Sequence, residues 1–427
     1  MSLFRWLKSL FFAPRRDISR LEPTGEAEDA VEETIDTSGG PLKEKHLRRA
    51  LRDRRLLPKA LAPRFPGSKR KKHMSMEEAT RLFAGTMRTR NRNLRDLLTD
   101  EDQLARYGLP VWRTEPELAD ALGLTAKQLW FFSSHREKEQ APHYVTFAIP
   151  KRSGGKRLIM APKRRLKAIQ RKLHELLVAK LPVSEHAHGF RKGRSVRTGA
   201  EAHVGKRIVL RIDIKDFFPT VTFARVRGML IAYGYSFPVA SALAAIMTES
   251  ERQPVEIEGK IYHVPVRPRH CVQGAPTSPG LCNAILLRLD RRVAGIAKKL
   301  GFAYTRYADD LSFSGDADRD ALNIFRARVV RVVREEGFEV NSDKTRIMGR
   351  GRRQTVTGVV VNQALGLSRQ ERRRLRAVAH RLTKEQAAGA TDPTRLAAFH
   401  GKLAYLSMLN PAQAEAVRTR FNGGTAK

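Results

Sequence analysis

Two adjacent carboxylates, Asp309 and Asp310, lie between two short runs of strand-forming residues, 305–307 and 311–314. This pattern predicts a hairpin with a tight acidic turn. Folding gains nothing from two neighbouring like charges, but a divalent cation makes them tolerable. Two metal ions held close together can activate an attacking oxygen and stabilise a leaving oxygen in phosphoryl transfer. A solvated turn explains the pair equally well when the hairpin is considered alone.

A second acidic centre follows the apolar run 208–212, which leads directly into Asp213. An aspartate at the end of a buried strand is costly unless it is paired or binds a metal. If this strand neighbours the hairpin, three carboxylates converge and can hold two metal ions for phosphoryl transfer to a nucleic-acid hydroxyl. Asp216, three residues later, is interpreted as structural or exposed.

The composition points to a polyanionic partner. The 427 residues include 81 Lys and Arg against 44 Asp and Glu, a net charge of +37. Such an excess, spread along the whole chain, predicts a long surface for nucleic acid, with an anionic membrane surface as the weaker alternative. The two cysteines, Cys271 and Cys282, exclude a cysteine-rich zinc site and fit a reducing cytoplasm. No apolar stretch reaches the roughly 20 residues of a membrane span.

Glycine-rich basic segments could contact phosphates. Residues 151–157 separate two strand signals and predict a hairpin whose basic flanks can grip a triphosphate. Residues 273–280 open a helix and can cradle an anion. Residues 188–195 form a loop whose backbone can approach a phosphate closely. Each segment, taken singly, is equally compatible with an ordinary surface loop.

Together these motifs resemble those of bacterial reverse transcriptases, most closely the retron class of the myxobacterial kind with an N-terminal extension. Residues 213–218 (DIKDFF) are similar to the family's first palm motif, and residues 307–310 (YADD) to its second. Residues 273–279 (QGAPTSP) resemble the loop that contacts incoming nucleotide and template. Residues 189–195 resemble the GF-x-x-GRS block, and residues 356–358 the VTG element typical of retron enzymes.

The resemblance implies a metal centre. Asp213, Asp309 and Asp310 would hold two Mg²⁺ ions, for which Mn²⁺ can substitute, with the carbonyl of Ile214 as an extra ligand. Lys344 would protonate pyrophosphate. The three aspartates and Lys344 form the predicted catalytic set, and the three aspartates with Ile214 form the predicted metal-binding set.

The resemblance also implies contacts to substrates. The predicted nucleotide-binding residues are Lys151, Arg157, Phe218, Gln273 and Gly274. Phe218 falls at the steric-gate position, where a bulky ring would clash with a ribose 2′-hydroxyl and so select deoxynucleotides. The predicted RNA-binding residues are Arg191, Arg194, His203, Val356, Thr357, Gly358, Arg372, Arg373, Arg374 and Arg376. His203 matches an A-x-x-H element, but Gly199 replaces the usual Asn, and a structural histidine remains the alternative.

The implied fold is α+β, a right-hand polymerase. Its predicted parts are a basic, partly disordered extension (1–74), a helical region (75–142), fingers (143–205), a palm with interleaved fingers segments (206–364) and a helical thumb (365–427). In the thumb, Ser368 and Glu371 form a predicted capping box, and Asp392 with Pro393 predicts a second helix start. The arginines of the first thumb helix suit a duplex backbone, although a solvated face is an alternative.

The implied function is that of a cytoplasmic retron enzyme. Such an enzyme binds a cognate structured non-coding RNA, primes from a guanosine 2′-hydroxyl and makes branched msDNA from dNTPs. Retrons act in anti-phage defence beside a separate effector protein. A group II intron-like reverse transcriptase, an RNA-directed RNA polymerase and a non-catalytic RNA-binding scaffold are the competing interpretations.

Overall fold

The computed structural model describes residues 98–422, apart from 135–138, 140, 151–153, 258–259 and 391. The chain divides into two compact units, each built from two segments. Of the described residues, the first unit combines those from 98 to 181 with Val221–Leu281, and the second combines Pro182–Thr220 with those from 282 to 422. The predicted extension, residues 1–74, and the start of the predicted helical region lie outside the described residues.

The helices and strands of the described residues occur in the following order along the chain. They are α1 (Glu101–Arg106), α2 (Glu115–Leu122), α3 (Ala126–Ser133), β1 (Tyr144–Pro150), β2 (Lys156–Pro162), α4 (Arg164–Leu176), a 3₁₀ turn (Val178–Lys180), α5 (Val196–Glu201), β3 (Ile208–Ile214), α6 (Phe217–Thr220), α7 (Phe223–Ala232) and α8 (Phe237–Met247). They continue with β4 (Arg252–Ile257), β5 (Lys260–Pro265), α9 (Ser278–Ile285), α10 (Leu287–Lys299), β6 (Ala303–Tyr307), β7 (Asp310–Gly315), α11 (Arg319–Glu335), β8 (Val340–Gly349), β9 (Thr355–Val356), β10 (Val359–Val360), α12 (Arg369–Ala387), α13 (Pro393–Leu409) and α14 (Pro411–Phe421).

The core of the first unit surrounds α8, which is apolar on all sides and therefore buried all round. Helices α2, α3, α4 and α7 pack against it. Gln170 on α4 fastens three elements together: its Nε2 donates to the Tyr144 hydroxyl at 2.7 Å and to the Ile246 carbonyl at 2.8 Å. These bonds satisfy buried polar groups, which would destabilise the fold if they had no hydrogen-bond partner.

The basic hairpin predicted at 143–162 is confirmed. Strands β1 and β2 pair antiparallel, from Tyr144 opposite Pro162 to Pro150 opposite Lys156. Gly154 and Gly155 both have positive φ, which glycine adopts without the steric cost of a side chain. Lys151 lies outside the described residues.

The second unit is built on a four-stranded antiparallel sheet in the order β6-β7-β3-β8. Strand β3 is central, and Leu210, Ile212 and Ile214 on it are buried. The predicted acidic hairpin is confirmed as β6 and β7. Its two turn residues are Ala308 and Asp309, because Tyr307 pairs with Asp310, which is already the first residue of β7.

Aromatic packing holds the helices of this unit on the sheet. The ring centroids of Tyr304 and Phe313 lie 4.9 Å apart on neighbouring strands, and Phe325 of α11 packs edge-on against Phe313 at 5.1 Å. The helical pattern of residues 319–337 and the strand-forming residues around Lys344 correspond to α11 and β8.

The alternation of residues 355–362 makes them a candidate for a single strand, but they form two short strands instead. Strands β9 and β10 have two residues each and form a minimal hairpin, with Val356 opposite Val359. Thr357 and Gly358 between them have φ of 49° and 84°. Positive φ at both central residues is the geometry of a tight hairpin turn, and it reverses the chain where alternation alone predicts extension.

Three helices, α12, α13 and α14, close the described chain. They share a core that includes Leu375, Leu382, Phe399 and Leu406. The predicted capping box and the predicted Asp392 cap are confirmed. Within the described residues, no helix is long and apolar enough to cross a membrane.

Candidate active site

The structure brings the three predicted carboxylates to one end of the sheet in the second unit. Asp213 on β3 lies directly opposite Asp310 on β7. The carbonyl of Asp309 accepts a hydrogen bond from the backbone N–H of Ile214 at 3.0 Å, which ties the turn to the end of β3. Opposite residues on antiparallel strands have Cβ atoms about 4.5–5.5 Å apart, and like charges there are destabilising.

Burial makes these negative charges more costly. Burial and the neighbouring charge of Asp213 raise the pKa of the Asp309 carboxyl above its ordinary value. Burial also raises the pKa of Asp310, although the adjacent Arg211 opposes the shift. The site therefore favours a compensating positive charge.

Two basic side chains supply that charge. Arg211, two residues before Asp213 on β3, forms an ion pair with Asp310 in which its Nε lies 3.2 Å from Oδ1 and its Nη2 contacts Oδ2. Lys344 on β8 places its Nζ 3.2 Å from both carboxylate oxygens of Asp213. The carboxylates are thus held by cationic side chains.

The donor set fits divalent metal ions, but the ligands are not gathered around one point. Within the described ranges, no group of three or more His, Cys, Asp or Glu side chains is arranged as a complete metal site. Asp310 forms an ion pair with Arg211, and Asp213 forms an ion pair with Lys344. Carboxylate oxygens are the ligands that Mg²⁺ and Mn²⁺ prefer, and metal binding here would exchange ion pairs for coordination bonds.

Phe218 lies in the same unit, on the short helix α6 that follows β3. Its ring is half-buried, with its centroid 5.5 Å from that of the buried Phe217, which in turn lies 6.2 Å from Phe338. A ring supported in this way has little freedom to move aside. Asp216 is exposed and has φ of 44°, in agreement with its interpretation as a structural or exposed residue.

The predicted nucleotide-binding residues of the first unit lie on two packed segments. The N–H of Met160 on β2 donates to the Gln273 carbonyl at 2.8 Å. Gly274 has φ of +124°, and a Cβ there would lie 2.6 Å from the Met160 carbonyl oxygen. Arg157 is exposed at the far end of the hairpin, opposite Ile149. The loop at 273–274 therefore needs glycine because it lies against the hairpin backbone.

The prediction that His203 contacts RNA was wrong. His203 is fully buried, its Nδ1 lies 2.7 Å from the Ser314 hydroxyl, and its Nε2 lies 2.7 Å from the Thr305 hydroxyl. Thr305 also donates to the carbonyl of Gly199 at 3.1 Å. With both ring nitrogens bonded, His203 joins α5 to the strands of the acidic hairpin and serves as a structural residue.

We expect His203 to make the protein sensitive to acid. Burial, assisted by the charge of His188, lowers the pKa of His203 to about 4. Between pH 6.5 and 4 the unfolded chain then binds more protons at this residue than the folded chain, so stability falls as the pH falls through this window, by up to about 3 kcal/mol. The free energy of unfolding, measured by urea denaturation, should depend less on pH in His203→Asn than in the wild type.

His380→Asn is the matched control, because His380 is exposed on α12. This change should leave the pH dependence of unfolding as in the wild type. An identical slope in the wild type and in His203→Asn between pH 6.5 and 4 would contradict the assigned burial of a neutral imidazole.

The other predicted RNA-binding residues differ in their surroundings. Val356 is buried in a cluster with Val209 and Val359, so the prediction that its side chain binds RNA was wrong. Arg191 is half-buried and donates to the Ser184 carbonyl at 2.9 Å. The exposed ones are Arg194, Gly358, Arg373, Arg374 and Arg376, while Thr357 and Arg372 are half-buried.

Sequence reasoning missed Arg211, the partner of Asp310. The available signal was its charge within an otherwise apolar strand and its spacing of two from Asp213, which places both side chains on one face of the sheet. A charge on a buried strand destabilises the fold less when an opposite charge pairs with it.

The sequence is similar to known polymerases. Residues 149–370 match the family described as reverse transcriptase (RNA-dependent DNA polymerase). The chain is 62% identical to the retron Mx65 reverse transcriptase of Myxococcus xanthus, over 94% of this chain and 92% of that protein. It is 42% identical to the retron Mx162 reverse transcriptase of the same organism, over 74% and 68% of the two chains.

A more distant relative is the retron Ec86 reverse transcriptase of Escherichia coli, 31% identical over 66% of this chain and 81% of that protein. The family match confirms the predicted α+β fold of the right-hand polymerase class. The shared identity with retron enzymes disfavours the group II intron-like and scaffold interpretations. The chain belongs to the retron reverse transcriptases and is an RNA-directed DNA polymerase.

Proposed function

We propose that this enzyme binds one cognate structured non-coding RNA, primes DNA synthesis from a guanosine 2′-hydroxyl of that RNA, and makes branched msDNA. The observation that carries the proposal is the convergence of Asp213, Asp309 and Asp310 at one end of the sheet, in a retron-family chain with a net charge of +37. We further propose a cytoplasmic role in anti-phage defence beside a separate effector protein.

We assign the parts of the hand as follows: fingers at 143–205, palm at 206–364 with interleaved fingers segments, and thumb at 365–427. The assignment is supported by the β1–β2 hairpin, by the sheet that carries the carboxylates, and by the three-helix group α12–α14. The N-terminal parts at 1–74 and 75–142 are assigned to RNA or partner contacts.

Asp213, Asp309, Asp310 and the carbonyl of Ile214 would hold two Mg²⁺ ions, for which Mn²⁺ can substitute. Such a pair of ions activates the attacking hydroxyl and stabilises the leaving pyrophosphate oxygen. Asp309 is the main ligand in this scheme, because Arg211 and Lys344 pair with the other two carboxylates and not with it.

We propose that Lys344 donates a proton during the reaction. Its Nζ lies 3.2 Å from Asp213, and its side chain is 60% exposed, so its ammonium group can reach solvent or a bound phosphate. We assign it the donation of a proton to the leaving pyrophosphate, which general acid catalysis by a positioned side chain can accelerate.

The incoming dNTP is assigned to five residues. We propose that Lys151 and Arg157 bind its phosphates or base, that Gln273 and Gly274 contact it through the loop, and that Phe218 excludes a ribose 2′-hydroxyl. The exposure of Arg157, the close backbone approach at Gly274 and the supported ring of Phe218 are the observations that favour these roles.

RNA contacts are assigned to basic and turn positions that are exposed or half-buried. They are Arg191, Arg194, Thr357, Gly358, Arg372, Arg373, Arg374 and Arg376. On α12, Leu375, Ala379 and Leu382 face the helical core, which leaves Arg373, Arg374 and Arg376 exposed. An arginine row of this kind suits a phosphate backbone.

We expect the substitutions Arg373→Glu, Arg374→Glu and Arg376→Glu, made together, to weaken RNA binding and flatten its salt dependence. Each lost phosphate contact should reduce the slope of log K against log salt by about 1. Filter binding at several salt concentrations measures both quantities.

The matched control is Arg319→Glu with Arg326→Glu and Arg328→Glu, because all three residues are exposed on α11, to which no RNA contact is assigned. It makes the same change in net charge within the same unit and should leave the slope near that of the wild type. An equal effect of control and test variants would refute a specific α12 surface.

The proposal as a whole is tested by supplying the purified protein with the RNA transcribed beside its gene, Mg²⁺ and dNTPs. We expect DNA synthesis templated by that RNA without an added primer, and none on an unrelated structured RNA. Equal synthesis on both RNAs, or an absolute need for an annealed primer, would contradict it.

A further inference from the structure

A fully buried ion pair lies directly behind the acidic turn. Arg306 on β6 and Asp290 on α10 are buried completely, and their side chains meet in a bidentate pair of 2.8 Å from Nε to Oδ1 and 2.7 Å from Nη2 to Oδ2. The Tyr304 hydroxyl donates to the same Oδ1 at 2.7 Å. A buried ion pair is a weak source of stability compared with apolar packing, so its presence calls for another explanation.

The remaining nitrogen of Arg306 reaches the turn. Its Nη1 donates to the carbonyl of Ala308 at 3.0 Å and to Oδ1 of Asn283 at 2.8 Å. Ala308 has φ of 54°, a left-handed conformation that a non-glycine residue keeps only where its surroundings hold it, and it directly precedes Asp309. Because Asp290 fixes the planar guanidinium, the direction of Nη1 is fixed too.

The same network holds the segment that covers the turn. Nδ2 of Asn283 donates to the Gly189 carbonyl at 2.9 Å. The backbone of Arg306 pairs with this segment on both sides, through its N–H to the carbonyl of His186 at 2.7 Å and through its carbonyl to the N–H of His188 at 2.8 Å. The turn is thus bounded by a buried cation on one side and a bonded backbone segment on the other.

Gly189 leaves no space for a side chain against the turn. A Cβ there would lie 3.0 Å from the backbone N of Ala308 and 3.2 Å from the Tyr307 ring. Either the turn or the covering segment would have to shift by a few tenths of an ångström to admit one methyl group.

We propose that Arg306, Asn283 and Gly189 form a buried clamp that sets the orientation of the Asp309 carboxylate; these are positioning residues for the polymerase reaction. The inference rests on the proposed function, in which Asp309 is the main metal ligand. A small displacement of a reacting group can lower the reaction rate about 100-fold. A rigid clamp that holds the Asp309 carboxylate in place would therefore maintain the rate.

Gly189→Ala is the sharpest test, because it adds one methyl group and leaves the ion pair intact. We expect kcat for dNTP incorporation to fall on the order of 10- to 100-fold, with a smaller change in KM and a melting temperature close to that of the wild type. Mn²⁺ affinity, measured by the electron paramagnetic resonance signal of free Mn²⁺ without nucleotide, should weaken as well. Gly295→Ala on α10 is the matched control, since a Cβ there meets nothing within 4 Å.

Arg306→Lys gives an independent test from the other side of the turn. Lysine keeps the charge opposite Asp290 but cannot hold Asp290, Asn283 and Ala308 at once. We expect the same loss of Mn²⁺ affinity, and a larger loss for Arg306→Met. If Arg306→Lys does not fold, Gly189→Ala alone decides.

Wild-type Mn²⁺ affinity and wild-type kcat in folded Gly189→Ala would overturn the clamp. A wild-type chain that binds Mn²⁺ but makes no DNA contradicts the proposed function instead, and the Mn²⁺ titration of the variants still decides on the clamp. The two failures are therefore distinguishable.

Discussion

Asp309→Asn should abolish DNA synthesis while leaving RNA binding intact. The change keeps the shape of the side chain and removes the negative charge from the turn residue that neither Arg211 nor Lys344 neutralises. In the proposed two-metal scheme this change would remove a metal ligand and with it several kcal/mol of transition-state charge stabilisation, so we expect dNTP incorporation to fall by at least about 1,000-fold. Single-turnover incorporation of a labelled dNTP on the cognate RNA measures the rate.

The control is Asp320→Asn, because Asp320 is exposed in the first turn of α11. It removes the same charge from the same unit and should retain full activity. A filter-binding measurement should give Asp309→Asn the RNA affinity of the wild type. Incorporation by Asp309→Asn within about tenfold of the wild type would show that the carboxylates of the hairpin do not carry the chemistry.

Phe218→Ala should let the enzyme accept ribonucleotides. In the proposed steric gate, the half-buried ring of Phe218, which packs against the buried Phe217, would clash with a ribose 2′-hydroxyl. Steric discrimination of this size is worth about 1–3 kcal/mol, so the preference for dNTP over rNTP in kcat/KM should fall roughly 10- to 200-fold. The dNTP rate itself should change little in comparison.

The selectivity ratio is best measured by competition between dGTP and GTP on one template. Phe131→Ala is a suitable control, because it removes an exposed aromatic ring from α3 in the first unit. It should leave the ratio unchanged. A wild-type enzyme that incorporates rNTPs as readily as dNTPs would refute the gate before any variant is made.

The local elements around the site were predictable because their signals lie within a few residues. The acidic hairpin follows from two short strand-forming runs around an Asp pair, and the caps of α12 and α13 follow from Ser368 and Asp392 with the residues next to them. The sequence predicted that Asp213 would converge with the hairpin if their strands were neighbours. In the structure, β3 does pair with β7.

Long-range partners were not predictable in the same way. Three side-chain contacts join residues on separate elements. They are Arg211 with Asp310, His203 with Ser314, and Arg306 with Asp290. These contacts depend on the register of the sheet and on the packing of α5 and α10. His203 was assigned to RNA because it matches the A-x-x-H element, but that short motif does not show whether its histidine is buried. Val356 was assigned to RNA as part of the VTG element, which likewise does not show that its valine packs in the core.

Synthesis of branched msDNA is tested by the nucleic acid that co-purifies with the wild-type protein from its host. After protease and RNase treatment, we expect a DNA strand that carries a short RNA remnant through a 2′–5′ bond, and a debranching enzyme should release the DNA. The same preparation from Asp309→Asn should contain the RNA alone. Linear DNA with a free 5′ end from the wild type, or DNA bound by the Asp309→Asn variant in equal amount, would contradict it.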